Sequence, residues 1–310
     1  MNTIKVFNIF VLVLFLLTLI LLIPLATAPN NVSANYNNVT VRTYVNITNA
    51  RPEVINITLY EQTNSSNKNI TLNAGSFKNV ACNATLRDWN GFNDITRVNA
   101  TLWHLPTSNH TAVDNNNSHY TNVNCTNDGN GVGYYVNYVC NFTIWYYANN
   151  GTWTCNVTVA DTRNASYYGM ANTTFYPVYA LNVTDGINYG GAAVETYTGN
   201  ATANITNFGN MPINITVQGY GATAGDGLAM NCSLGGNITI ANERFAISDV
   251  VWGSKTPMTG ASQMLPSITM PKQNTSATVS NSTYWQLYVD SANNPGGNCS
   301  GYVMFTALAP

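Results

Sequence analysis

A chain of 310 residues has room for two ordinary domains once a targeting segment is set aside, since a domain commonly takes about 100 to 200 residues. Only 8% of residues are charged, against a usual level of about 25%, while 45% are hydrophobic; cores can form, but the surface must be polar without being charged. With 11 Lys and Arg against 13 Asp and Glu there is no basic stripe to neutralise phosphates, which argues against nucleic acid as a partner.

Lys5 precedes an apolar run from Ile9 to Ile23, broken only by Thr18 and stopped by Pro24. This is the n-region and h-region of an export signal. A spanning helix needs about 20 apolar residues, so the run lies between a signal and a membrane span. Residues 1–34 are read as a signal peptide, with an uncleaved signal-anchor helix as the alternative. Ala26 to Ala28 and Val32 to Ala34 offer cleavage sites. The expected location is extracellular or at the cell surface, with membrane contact only through this segment if it stays uncleaved.

Period-2 alternation follows. In Asn38–Ile47, Val39, Val41, Thr43, Val45 and Ile47 point one way and Asn38, Thr40, Arg42, Tyr44 and Asn46 the other, as in a half-buried strand. Further strands are expected at Ile55–Tyr60, Phe77–Leu86, Arg97–Leu105, Tyr134–Tyr147, Thr152–Ala160, Ile213–Tyr220, Asn237–Ala241 and Thr283–Val289. Asn, Gly, Asp and Pro clusters separate them, and no helical period is sustained. An all-β chain of antiparallel sandwiches is expected. NITNARPEVINITL at Asn46–Leu59 aligns without a gap to NITNFGNMPINITV at Asn204–Val217, each reading as strand, turn, strand. A duplicated module is the economical explanation, with one sandwich over 35–178, a second over 179–310 and the boundary near Pro177.

The chain holds 25 N-x-S/T sequons, among them Asn46, Asn56, Asn141, Asn214 and Asn298. Its 49 Asn and 55 Ser and Thr would give roughly 9 by chance, so acceptors for N-linked glycans are enriched. Six cysteines in an exported chain read as three disulfides. Cys125 and Cys140 flank a turn-rich stretch and suit a hairpin, which leaves Cys82 with Cys155 and Cys232 with Cys299. No C-x-x-C is present to suggest zinc.

In NNGTWTC, Trp153 stands two residues before Cys155, where the immunoglobulin family has the Tyr of its corner before the second core cysteine. The first module thus resembles an immunoglobulin-like fold, which implies a sandwich with the Cys82–Cys155 link at its centre. It departs from the family in that neither Trp89 nor Trp103 stands at the set distance after the first cysteine. In composition, the tandem chain is similar to archaeal surface-layer and filament subunits.

CNATLRD and CNVTVAD are one phrase written twice, so Asp88 and Asp161 each lie six residues beyond a core cysteine and face the same way as it does. In an immunoglobulin-like sandwich the two cysteine strands run in the same direction, which would bring both carboxylates to one end. Asn90 and Asp94 add oxygens around a Gly turn, and calcium favours such oxygen-rich loops. These four residues are the candidate calcium ligands, and calcium is the cofactor the sequence suggests. His104, His110 and His119 lack ligand periodicity and are expected as solvated loop residues. No G-x-S-x-G elbow is present. The expected function is a non-enzymatic structural glycoprotein of the cell surface, in a surface layer or filament, partnered by itself or by other surface proteins. An adhesin or carbohydrate-binding module using Tyr134, Tyr135, Tyr138, Trp145, Tyr146 and Tyr147 is the alternative, and a secreted hydrolase comes third. Asn38–Ile47 discriminates the first two: paired in its own module, the chain can stand alone; free, the segment can complete a neighbour's sheet.

Overall fold

The computed structural model describes residues 40–66 and 68–310, so the signal segment and Asn38–Val39 lie outside the described residues. The chain divides into two compact units, Met1–Thr48 and Asn49–Pro310. In the first unit, the described residues 40–48 form no strand. Val41, Tyr44, Val45 and Ile47 are each between 75% and 84% exposed. The strand expected at Asn38–Ile47 is therefore not formed over its described part. Alternation supplies a face, but a strand also needs a neighbour to take its backbone hydrogen bonds.

In the second unit, β1 (Glu53–Glu61), β2 (Phe77–Arg87), β3 (Ile95–His104), β4 (His119–Asn122), β5 (Thr126–Asn127), β6 (Tyr135–Trp145), β7 (Gly151–Asp161) and β8 (Ser166–Phe175) come first. They form two antiparallel sheets, β1-β2-β6-β5 and β4-β3-β7-β8. Inward positions at every second residue of β2, namely Val80, Cys82, Ala84 and Leu86, meet Trp153, Cys155, Val157 and Val159 of β7 in one core. The Cys82–Cys155 disulfide joins the two sheets through that core, and Cys125–Cys140 ties the approach to β5 onto β6. Trp153 is fully buried, stacks on Phe175 at 4.7 Å and donates from Nε1 to the Asn149 carbonyl at 2.7 Å. Its indole thus bonds back to the backbone four residues upstream.

The second set is β9 (Leu181–Val183), β10 (Thr196–Tyr197), β11 (Ala201–Asn207), β12 (Ile213–Tyr220), β13 (Leu228–Cys232), β14 (Asn237–Thr239), β15 (Glu243–Ala246), β16 (Thr256–Pro257), β17 (Gln263–Met270), β18 (Ser280–Val289), β19 (Cys299–Ser300) and β20 (Tyr302–Leu308). The sheet β16-β15-β18-β11-β9, with β10 also on β18, faces the sheet β17-β12-β20. Ile205, Ile213, Ile215, Val217, Phe245 and Trp285 fill the space between them. Cys232 and Cys299 sit opposite each other in a small β14-β13-β19 sheet and are bonded. The strand expected at Asn237–Ala241 stops at Thr239, where a 3-10 turn over Ile240–Asn242 begins.

The two sandwiches touch closely. Lys272 Nζ donates to Asn117 Oδ1 at 2.6 Å and to the Tyr147 carbonyl at 2.8 Å. Phe208 packs edge-on against Tyr146, and a Cβ at Gly75, whose φ is +65°, would lie 2.4 Å from the Phe208 ring. Among the described residues there is no α-helix, so none long and apolar enough to cross a membrane.

Candidate metal centre

Asp88 follows the last residue of β2 and Asp161 is the last residue of β7. Their strands are covalently joined six residues earlier, at Cys82 and Cys155, and meet again at the two carboxylates. Strands in contact at both ends of an equal interval run in the same direction. Asp94 enters from the 3-10 turn Phe92–Asp94, which the chain reaches through Gly91 at φ 108°. One oxygen from each of Asp88, Asp94 and Asp161 lies within 4.8 Å of the others.

Asp88 is 0% and Asp161 1% exposed. Asp161 Oδ1 accepts from the Arg163 and Ala165 amides at 2.8 and 2.9 Å, and Asp161 Oδ2 accepts from Asn49 Nδ2 at 2.7 Å. Asp94 Oδ1 accepts from the Thr162 hydroxyl. Asp88 Oδ1 accepts from the Asn90 amide at 2.8 Å, while Asp88 Oδ2 is buried with no hydrogen-bond partner. Among the described residues, the ion pairs are Lys78–Glu61, Arg87–Glu53 and His119–Asp114, so no basic group neutralises these three acids. Two unit charges 4.8 Å apart repel by about 3 kcal/mol at an effective dielectric of about 20. Burial pushes the Asp88 carboxyl above its ordinary range, Asp94 and Asp161 push it further, and the Asn90 amide opposes them.

Asn90 stands apart from the three acids in role. Its side-chain oxygen accepts from the Ala50 amide at 2.8 Å, which fastens the incoming chain. Asn49 is a neighbour the sequence did not signal, because it lies 112 residues from its acceptor. The histidines require a correction. His104 and His119 are buried. His104 Nε2 meets the Asn150 carbonyl at 2.9 Å, Nδ1 meets the Thr107 hydroxyl at 2.8 Å, and burial lowers the ring's pKa. His119 Nδ1 meets Asp114 at 2.7 Å. Both hold the 105–118 loop back onto the sheet, a packing no local pattern announces.

Of the aromatic stretch, Tyr146 and Tyr147 are buried and Tyr134 and Tyr135 exposed, so the six rings form no single platform. Asn46, Asn56, Asn141 and Asn298 are exposed. Asn214 is half-buried and accepts from the Thr269 hydroxyl at 2.8 Å. Among the described sequon asparagines, Asn156 alone is buried.

No protein-family model matches the sequence, and no characterised protein matches it at significant similarity. Among solved structures, the chain is similar to the chaperone–tip adhesion subunit pre-assembly complex of archaic chaperone-usher Csu pili from Acinetobacter baumannii, at 9% identity over 77% of this chain and 96% of that one, with TM-score 0.34. It is similar to the C-terminal domain of the Streptococcus agalactiae AgI/II polypeptide BspA, at 9% identity over 82% and 96%, with TM-score 0.24. It is also similar to a carbohydrate-binding module of the β-sandwich superfamily, at 12% identity over 84% and 97%, with TM-score 0.25.

Proposed function

We propose that the chain is an exported, N-glycosylated, non-enzymatic structural protein of the cell surface, part of a surface layer or filament, whose copies join by strand addition. The observation that carries this reading is the residue 40–48 segment, which has the alternation of a strand and leaves its apolar side chains exposed and unpaired. Its sequence echo makes the contrast direct. In Asn204–Val217 the first half lies in β11, which pairs with β9 and β18; in Asn46–Leu59 only the second half is a strand, within β1.

The acceptor in this reading is the second sandwich of a neighbouring copy. There β9 and β20 are outer strands of the two sheets, and Leu181, Val183, Val303, Phe305 and Ala307 pack on the core while remaining partly exposed. A cavity of about 230 Å³ lies against Val183, Val303 and Phe305. An added strand would supply ladder hydrogen bonds to the open edge and place Val41, Val45 and Ile47 over those side chains. Outward-facing sequons leave such an edge-to-edge array glycosylated on its flanks.

Electron microscopy and sedimentation of the exported chain test the reading. Wild type should form linear or sheet-like assemblies, and a Val41→Asp/Val45→Asp double variant should stay monomeric with an unchanged melting temperature. Assembly of the double variant as readily as wild type, or a wild type that remains monomeric both in solution and on its native surface, would overturn it.

A further inference from the structure

We infer that the end of the first sandwich is a calcium site, with Asp88, Asp94 and Asp161 supplying the carboxylates. This goes beyond strand addition and stands or falls separately. Calcium binds oxygen at about 2.3 to 2.6 Å, so two ligands on one ion cannot be more than about 5 Å apart. The three carboxylate oxygens, all within 4.8 Å of one another, satisfy that limit.

A second observation is independent of the clustering. Asp88 Oδ2 belongs to a residue with no exposure and has no hydrogen-bond donor, although its other oxygen and the Asp94 and Asp161 carboxylates all have one. A buried carboxylate oxygen without a donor is rare in a folded protein and calls for an unseen partner. A cation suits that place, since two further carboxylates approach the same point and no Lys or Arg among the described residues pairs with any of the three. An all-oxygen donor set with no His or Cys favours a hard ion. Calcium accepts about six to eight oxygens in flexible geometry where magnesium demands a near-ideal octahedron, so a cluster drawn from two strand ends and a 3-10 turn favours calcium. The same ion would steady the entry of the chain, because Asn49 is bonded to Asp161 and Ala50 to Asn90, which in turn bonds Asp88.

The test uses the disulfide-intact exported chain, stripped with EDTA and titrated with calcium chloride alone. Expected are one ion per chain, a higher melting temperature, slower amide exchange at Ala50, and terbium luminescence sensitised by Trp89, which adjoins Asp88 and is 52% exposed. Asp161→Asn can lose the fold by itself, since Asp161 holds three donors. Asp94→Asn and Asp88→Asn therefore accompany it and should weaken calcium binding at least tenfold, while Glu195→Gln in the second sandwich leaves it intact. The inference is overturned if EDTA and millimolar calcium leave the wild-type melting temperature unmoved, if Asp94→Asn and Asp88→Asn respond as wild type does, or if magnesium at equal concentration responds equally.

Discussion

Glu243 gives a pH dependence that can be worked from the structure. It lies at the start of β15, 2% exposed, and its Oε1 accepts from the Tyr189 hydroxyl at 2.6 Å. Burial pushes its carboxyl from 4.5 up to about 7, with the Tyr189 bond opposing the rise. Below pH 4.5 the folded and unfolded chains both hold the proton, and the contribution to stability is complete. As pH rises, the unfolded chain releases its proton first, so stability falls until the folded carboxyl also ionises near pH 7. At about 1.4 kcal/mol per pH unit, the loss is about 3 kcal/mol. Glu243→Gln keeps an acceptor for Tyr189 and never ionises. Urea unfolding of wild type and variant from pH 4 to 8 should give a stability difference that shifts by about 3 kcal/mol in favour of the variant. All other titrating groups cancel in that comparison. A difference constant to within about 1 kcal/mol across the range would refute a neutral buried Glu243.

The disulfides should rank by loop length: replacing Cys82 and Cys155 by Ala, across a separation of 73 residues, should cost about 4 kcal/mol or more, and replacing Cys125 and Cys140, across 15, about 3 kcal/mol. Guanidinium midpoints measure both, and equal or reversed costs would break the loop-entropy reasoning. Lys272→Met leaves Asn117 Oδ1 and the Tyr147 carbonyl without their donor and should destabilise by about 1–3 kcal/mol in urea; an unchanged midpoint would mean that the Lys272 contact between sandwiches is idle. Trp153→Phe removes the Nε1 bond to Asn149 and part of the core volume, with an expected loss of about 2–4 kcal/mol by thermal melting. Protein from its native host should run above 33.6 kDa and lose mass on deglycosylation, with Asn156 unmodified in peptide maps because it is buried.

The acidic cluster was legible because it rests on parity and repetition. Two cysteines joined across the sandwich, each followed by Asp at the sixth residue, converge once the strands run the same way, and both facts are local to CNATLRD and CNVTVAD. What escaped was set by remote neighbours. β8 reads poorly as a strand because Gly169 interrupts it, yet Val54 and Ile57 of β1 crowd that position, and a Cβ there would lie 2.7 Å from Val54. His104 and His119 read as loop residues because their partners, Asn150 and Asp114, are brought in by folding. The NITN phrase states the general point most sharply. At Asn204 it is a paired strand with Ile205, Thr206 and Asn207 buried, because β9 and β18 flank it; at Asn46 the first three residues of the same phrase are exposed and in no strand, and only Asn49 is half-buried. Alternation therefore encodes which side chains share a face, and the neighbour decides whether that face is used. A sequence that keeps Val41, Val45 and Ile47 on one side of an unpaired segment retains the information for a partner, and in the reading proposed here that partner is another copy of the chain.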